Sequence, residues 1–212
     1  MSNKSDIRNM LRDAAILFAI TLIAGLVLGF VYEITKEPRR IQEEKAIQEA
    51  CRAAYEDAAS FAEVEYIPSE TLAGELKADG VEIGNAYEAL DASGSHLGFV
   101  VETTSSEGYG GDITLYLGVA ADGTIRGISI LEISETPGLG MNADSVLKPQ
   151  FRNKKVSSFT YTKTGSKSDS EIDAISGATV TTKAVTYAVN GGLRAIQEEL
   201  VNLVGEGGSS NE

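Results

Sequence analysis

The first pattern along the chain is an apolar run with nothing to interrupt it. Ala14 to Tyr32 passes 19 residues without a charge. At ~1.5 Å per helical residue that is about 28 Å, the thickness of a hydrocarbon core. The run is longer than the core of a signal peptide, and Phe30-Val31-Tyr32-Glu33 closes it with no small-x-small cleavage pattern. It predicts an uncleaved transmembrane helix over 14–32, behind a short tail at 1–13. From Glu33 to Ser60 the chain is polar and rich in alanine, with a weak apolar stripe at Ile41, Ile47, Ala50, Ala54 and Ala58. That predicts a helical connector over 33–60, with Pro38 at a first helical position. Its charged face either stays in solvent or packs on the base of the domain beyond it.

After Phe61 the texture changes. Gly, Ser, Asp and Asn punctuate short apolar runs, the signature of strands. Ala86–Ala92 and Leu97–Thr103 flank Ser93-Gly94-Ser95-His96, which predicts a hairpin. Ile113–Ala120 and Thr124–Ile133 flank Ala121-Asp122-Gly123, a second hairpin with the strong Asp-Gly turn signal. Within the first of these strands Ile113, Leu115, Leu117 and Val119 alternate with Thr114, Tyr116 and Gly118. A short helix is expected over Asn142–Gln150, capped by Asn142, and a strand over Ser157–Lys163. Val185, Val189, Leu193, Ile196, Leu200 and Leu203 then step by three and four, the period of one buried helical face. The fold class is α+β: one transmembrane helix, then a domain over 61–204 built as an antiparallel sheet with helices on one side, and a small-residue tail at 205–212.

Charge narrows the partners. The net charge of −13 repels phosphate backbones, so nucleic acid is not expected. Residues 1–40 carry six basic and four acidic side chains, so the excess of acid lies in the remainder. Basic residues flank the span on both sides, and orientation rests on the short tail with the bulk downstream. Such a signal anchor places the domain on the extracytoplasmic side of the cell membrane. One cysteine, Cys51, and one histidine, His96, exclude an internal disulfide, a multi-cysteine metal or iron–sulfur site and a histidine cluster. Both read as structural residues. No catalytic or metal-ligating set is apparent, and any redox role needs a cofactor.

The chemistry concentrates where the last helix begins. Asp173-Ala174-Ile175-Ser176-Gly177-Ala178-Thr179 is a small-residue loop running into that helix. Thr179 falls at or near the helix start, where backbone N–H groups lack partners and the dipole is positive. A phosphate would be held well there, with Gly177 and Ala178 allowing close approach. As residues alone, a Ser or Thr before an apolar periodic run also serves as an ordinary N-cap.

The loop resembles the Asp-x-x-Ser-Gly-Ala-Thr flavinylation motif of the FMN-binding domain in the G subunit of Rnf complexes and the related C subunit of sodium-pumping quinone reductases. Two further stretches match that family in order. Glu135-Thr136-Pro137-Gly138-Leu139-Gly140, by itself a type II turn signal, is similar to the loop that lies against the flavin. Gly108-Tyr109-Gly110-Gly111 is similar to a glycine-rich loop of the same domain. One departure is visible: family members often carry a His two residues before the loop's Glu, and this chain has Ile133.

The resemblance implies covalent FMN on Thr179 through a phosphoester, installed from FAD by a separate flavin transferase. It implies a cofactor site of Thr179, Asp173, Ser176, Gly177, Ala178, Glu135, Thr136, Gly138, Leu139, Tyr109 and Gly110, with Thr181 and Thr182 outside the motif. It also implies an electron-carrying subunit of an ion-translocating ferredoxin:NAD oxidoreductase, with the integral and peripheral Rnf subunits as partners. The chain has no nucleotide-binding glycine fingerprint and no second apolar span, so no complete activity is expected from it alone. Two alternatives stand beside this: a flavin domain serving another electron-transfer or sensing system, and a tethered binding module without redox chemistry.

Overall fold

The computed structural model describes residues 3–202. The expected tail at 205–212, and Leu203 of the predicted helical stripe, lie outside the described residues. The chain divides into two units, one up to Lys45 and one from Ala46.

The first unit is helical. Helix α1 runs Asn3–Ala54 without a break, and Pro38 lies inside it. This corrects the expectation that Pro38 opens a separate connector helix. A proline in a helix removes one N–H, here the donor to the carbonyl of Ile34, and that carbonyl lies on an exposed stretch of helix. The helix holds an 18-residue window of mean hydropathy 2.7, none of it buried, long and apolar enough to cross a membrane.

The second unit is a five-stranded antiparallel meander in the order β1-β2-β3-β4-β5: Ser60–Val64, Val81–Leu90, His96–Ser105, Ile113–Ala120 and Ile125–Ile133. Both predicted hairpins are present. In the first, the Asp91 carboxylate accepts the amides of Ser93 and Ser95, and Gly94 takes φ +82°. In the second, Asp122 accepts the amide of Thr124 and Gly123 takes φ +85°. These are the conformations that Asp and Gly supply most cheaply in tight turns.

Strand β4 is buried on both faces, which is why its alternation is apolar against small and aromatic rather than apolar against charged. Ile113, Leu115, Leu117 and Val119 join the main core under the last helix. Tyr116 and Ala120 face a second cluster with Ala50, Cys51, Ala54 and Tyr55. A methyl group on Gly118 would meet the Ala54 carbonyl at 2.5 Å, so only glycine admits the end of α1 so close to the strand. Helical cover therefore lies on both faces of the sheet, not on one.

Helix α2, Glu70–Ala78, packs Leu72 and Leu76 against Val81. The helix expected over 142–150 is instead a 3-10 turn (Gly140–Asn142) and two short helices, α3 (Ala143–Val146) and α4 (Lys148–Phe151). Pro149 has no N–H to continue one helix through them. Asn142 makes no side-chain cap; its amide donates back to the Gly138 carbonyl. Strand β6, Thr160–Thr162, pairs in parallel with β7, Glu171–Asp173. Helix α5, Thr179–Arg194, continues into a π-helical stretch, Ala195–Leu200. Val185, Val189, Leu193, Ile196 and Leu200 of the predicted stripe are all buried.

Candidate functional site

Sheet register brings the first two loops together. Ile113, the first residue of β4, pairs with Ser105 at the end of β3 and with Ile133 at the end of β5. The loops that come after β3 and β5 therefore leave from the same end of the sheet. Glu135 joins them: its Oε1 accepts the Tyr109 amide at 2.8 Å and the Gly110 amide at 3.4 Å. The loops press together so closely that a Cβ on Gly110 would stand 1.9 Å from the Ser134 carbonyl oxygen. Beyond Glu135, Thr136 to Leu139 make the expected turn, with the Leu139 amide donating to Thr136 O and Gly138 at φ +78°.

The third segment comes off β7. The Asp173 amide donates to Gln150 Oε1 at 2.7 Å and its carboxylate accepts the Ser166 amide at 2.5 Å. The loop then passes Ile175, whose amide donates to the hydroxyl of Thr182 at 3.1 Å, while that hydroxyl donates to Ala178 O. Thr182 thus pins the loop beneath the helix it feeds. Gly177 adopts φ +78°, and a side chain there would press on Leu139 Cδ2 at 3.1 Å. Ala178 is the N-cap, Thr179 the first residue of α5, and no side chain caps this end.

These segments enclose a cleft of about 510 Å³ lined by Tyr109, Glu135, Thr136, Leu139, Gly140, Gly177, Ala178, Thr179, Val180 and Thr181. That volume suits a small-molecule site, which typically spans ~300–1,000 Å³. Seven of the residues expected at the site line it: Thr179, Gly177, Ala178, Glu135, Thr136, Leu139 and Tyr109. Gly110 and Gly138 shape the loops behind it. Ser176 is exposed, and the Asp173 carboxylate faces the Ser166 turn instead of the cleft. Val180 and Thr181 were not among the expected residues. Their signal was positional: as the second and third residues of α5 they offer amides at the same open end.

The helix end favours an anion, and the one carboxylate lining the cleft, Glu135, is taken up by the Tyr109 and Gly110 amides. α5 has no acidic residue in its first turn. Lys183, one turn on, lies 3.1 Å from Glu107, whose hydrogen bond raises the lysine pKa, and 5.0 Å over the Tyr187 ring. Cys51 takes no part: it is buried beneath the opposite face, and burial pushes its thiol up to about 12. His96 lies on β3, paired with Glu88 at 2.8 Å.

An FMN-binding domain model matches residues 108–194, from the glycine loop to the end of α5. The chain is 32% identical over 187 residues to the G subunit of the Na(+)-translocating ferredoxin:NAD(+) oxidoreductase complex of Acetobacterium woodii, covering 86% of this chain and 89% of that one. It is 30% identical to the G subunit of the ion-translocating oxidoreductase complex of Methanosarcina acetivorans, over 88% and 94%. It is 34% identical to the G subunit of the proton-translocating ferredoxin:NAD(+) oxidoreductase complex of Clostridium ljungdahlii, over 84% and 90%. The chain belongs to this G-subunit family. Among solved structures, NqrC of Shewanella oneidensis shares the fold, with a TM-score of 0.50 and 21% identity over 72% of this chain and 74% of that one.

The residues of this G-subunit relative fit the group its domain implies. The amides of Thr179, Val180 and Thr181 precede the first intrahelical bond, made by the Thr182 amide to Ala178 O. Three donors at the positive end of a helix suit a phosphate. Tyr109, Leu139 and Val180 give the cleft exposed apolar surface for a flat ring system.

Proposed function

We propose that the chain is the electron-carrying subunit of an Rnf-type ion-translocating ferredoxin:NAD oxidoreductase, with FMN esterified to Thr179 in this cleft. The observation that carries this reading is convergence. Three loops distant in sequence meet at one cleft, on a helix end where a hydroxyl stands free of capping duty. FMN, when bound, accepts and donates electrons singly or in pairs, which none of the side chains lining the cleft can do.

The protein's role is to bind, orient and retain. The Thr179 oxygen bonds to the FMN phosphorus of FAD, the pyrophosphate bond breaks, AMP leaves, and the hydroxyl proton is released. A separate flavin transferase catalyses that exchange. The phosphodiester would keep one negative charge, which the first-turn amides and the dipole of α5 would hold. Leu139 would pack on the ring, and Glu135 would hold the glycine loop against it. A covalent tether fixes occupancy in a domain held on the extracytoplasmic side by α1, where a dissociating flavin would be lost to dilution. The bound group would supply electron exchange with the integral subunits of the complex.

Producing the full chain with and without a flavin transferase tests the reading. Flavin that survives denaturation is expected only with the transferase. A chain that stays colourless while the transferase labels a known substrate overturns it. Crosslinking in membranes separates an Rnf-type complex from another electron-transfer system: the integral subunits should be recovered with the chain.

A further inference from the structure

We propose that Glu135 is a positioning residue: its buried carboxylate latches the Gly108–Gly111 loop so that the Tyr109 ring stands as a stacking plate over the bound flavin ring. This rests on the reading that FMN occupies the cleft. Glu135 is only 7% exposed, an unusual setting for a carboxylate, and its Oε1 is used by two loop amides. It needs no side-chain cation to explain its burial, because backbone N–H groups satisfy it.

The loop it grips has almost no side chain of its own. Gly108, Gly110 and Gly111 leave Tyr109 as the single side chain between Glu107 and Asp112. Both neighbours must be glycine for the grip to close. A Cβ on Gly108 would stand 2.1 Å from the Gly111 carbonyl oxygen and 3.0 Å from Glu135 Oε1, and one on Gly110 would strike Ser134 O. Tyr109 is held by its backbone and left 75% exposed at the cleft wall. Among the described residues no ring pairs with it. Leu139 and Val180, 40% and 46% exposed, supply the other apolar surface of the same cleft. An aromatic ring on a backbone-anchored loop, lining one cleft with aliphatic side chains, offers apolar surface to a planar heteroaromatic, and stacking on a tyrosine is favourable in an offset geometry. A tyrosine stacked on a flavin also quenches its fluorescence, which makes the plate measurable.

The experiment has two arms on the full-length protein in detergent. In the flavin-loaded chain, fluorescence yield is normalised to bound flavin. Tyr109→Leu should brighten it several-fold, and Glu135→Ala should brighten it similarly although the tyrosine is still present. Glu135→Gln keeps one acceptor oxygen and should fall between. In the flavin-free Thr179→Val chain, hydrogen exchange at the Tyr109 and Gly110 amides should speed at least tenfold on adding Glu135→Ala, and less on adding Glu135→Gln. If exchange there is unchanged by Glu135→Ala, the latch is overturned. If Tyr109→Leu is no brighter than wild type, the plate is overturned. Should Glu135→Ala fail to fold, the Gln variant and Tyr109→Leu decide by the same criteria. Failure of wild type to load flavin would sink the attachment reading instead, and the exchange arm would still judge the latch.

Discussion

Two helix N-termini in the same unit are built in opposite ways. At α2 the cap is complete: Ser69 Oγ accepts the Leu72 amide at 3.3 Å and Glu70 stands in the first turn. The protein adds an anion of its own, because the Glu199 carboxylate accepts Ser69 Oγ at 2.6 Å and the Tyr66 hydroxyl at 2.7 Å. At α5 the cap position is Ala178, no side chain bonds the end, and no acid lies in the first turn. The hydroxyl of Thr179 comes one residue too late to cap. Where structure alone is at stake, the chain closes its helix end with Ser and Glu. At α5 it leaves the backbone donors and the Thr179 hydroxyl without a side-chain cap, which is what the proposed attachment requires.

The sharpest way to break this contrast is at Thr179 itself. Thr179→Val should remove covalent flavin altogether while changing stability by no more than about 0.5 kcal/mol, because a partly exposed hydroxyl without a cap role is lost. Thr181→Val should keep the flavin. In-gel fluorescence and thermal unfolding measure both.

A smaller effect is expected from filling the cleft floor. A Cβ on Gly140 would meet Thr181 Oγ1 at 2.5 Å and Glu135 Cβ at 2.7 Å. Gly140→Val should cost about 1–3 kcal/mol by overpacking and lower the flavin-to-protein absorbance ratio.

At the closed end the sign of the comparison reverses. Ser69→Ala should cost about 1 kcal/mol in urea unfolding and leave flavin attachment untouched.

The smallest effect is in pH. Burial raises the Glu199 pKa, but hydrogen bonds from Ser69 and Tyr66 outweigh it and leave it below the ordinary 4.5. A depressed carboxylate contributes stability above its unfolded pKa and loses it as pH falls through the folded one. Acid unfolding of Glu199→Gln should therefore be shallower below about pH 4.5 than that of wild type, with flavin retained in both.

How much of this was legible in the sequence depends on range. The Asp-Gly and Ser-Gly turns and the α5 stripe are local signals, and hairpins and helix appeared where they predicted. Strand β1 and helix α2 went unread, since Leu72 and Leu76 are the only apolar pair on α2's buried face. Ser69 after Pro68 was the missed start signal. Pro38 misled because an exposed helix tolerates one lost hydrogen bond. Of the cleft, Thr179 at a helix start was readable from residues. That Tyr109, Glu135 and Thr179 share one cavity was carried by the family resemblance, because no local pattern links loops so far apart. The grip of Glu135 on the Tyr109 and Gly110 amides depends on sheet register, which no motif records.

The most direct test of the central claim is a peptide map of the chain purified from its native membrane. Trypsin should release Ser168–Lys183, which holds Thr179 together with Ser168, Ser170, Ser176, Thr181 and Thr182. The account predicts this peptide heavier by one FMN less one water, with fragmentation placing the addition on Thr179. The bare peptide, or an addition on any of the other five hydroxyls, would contradict it.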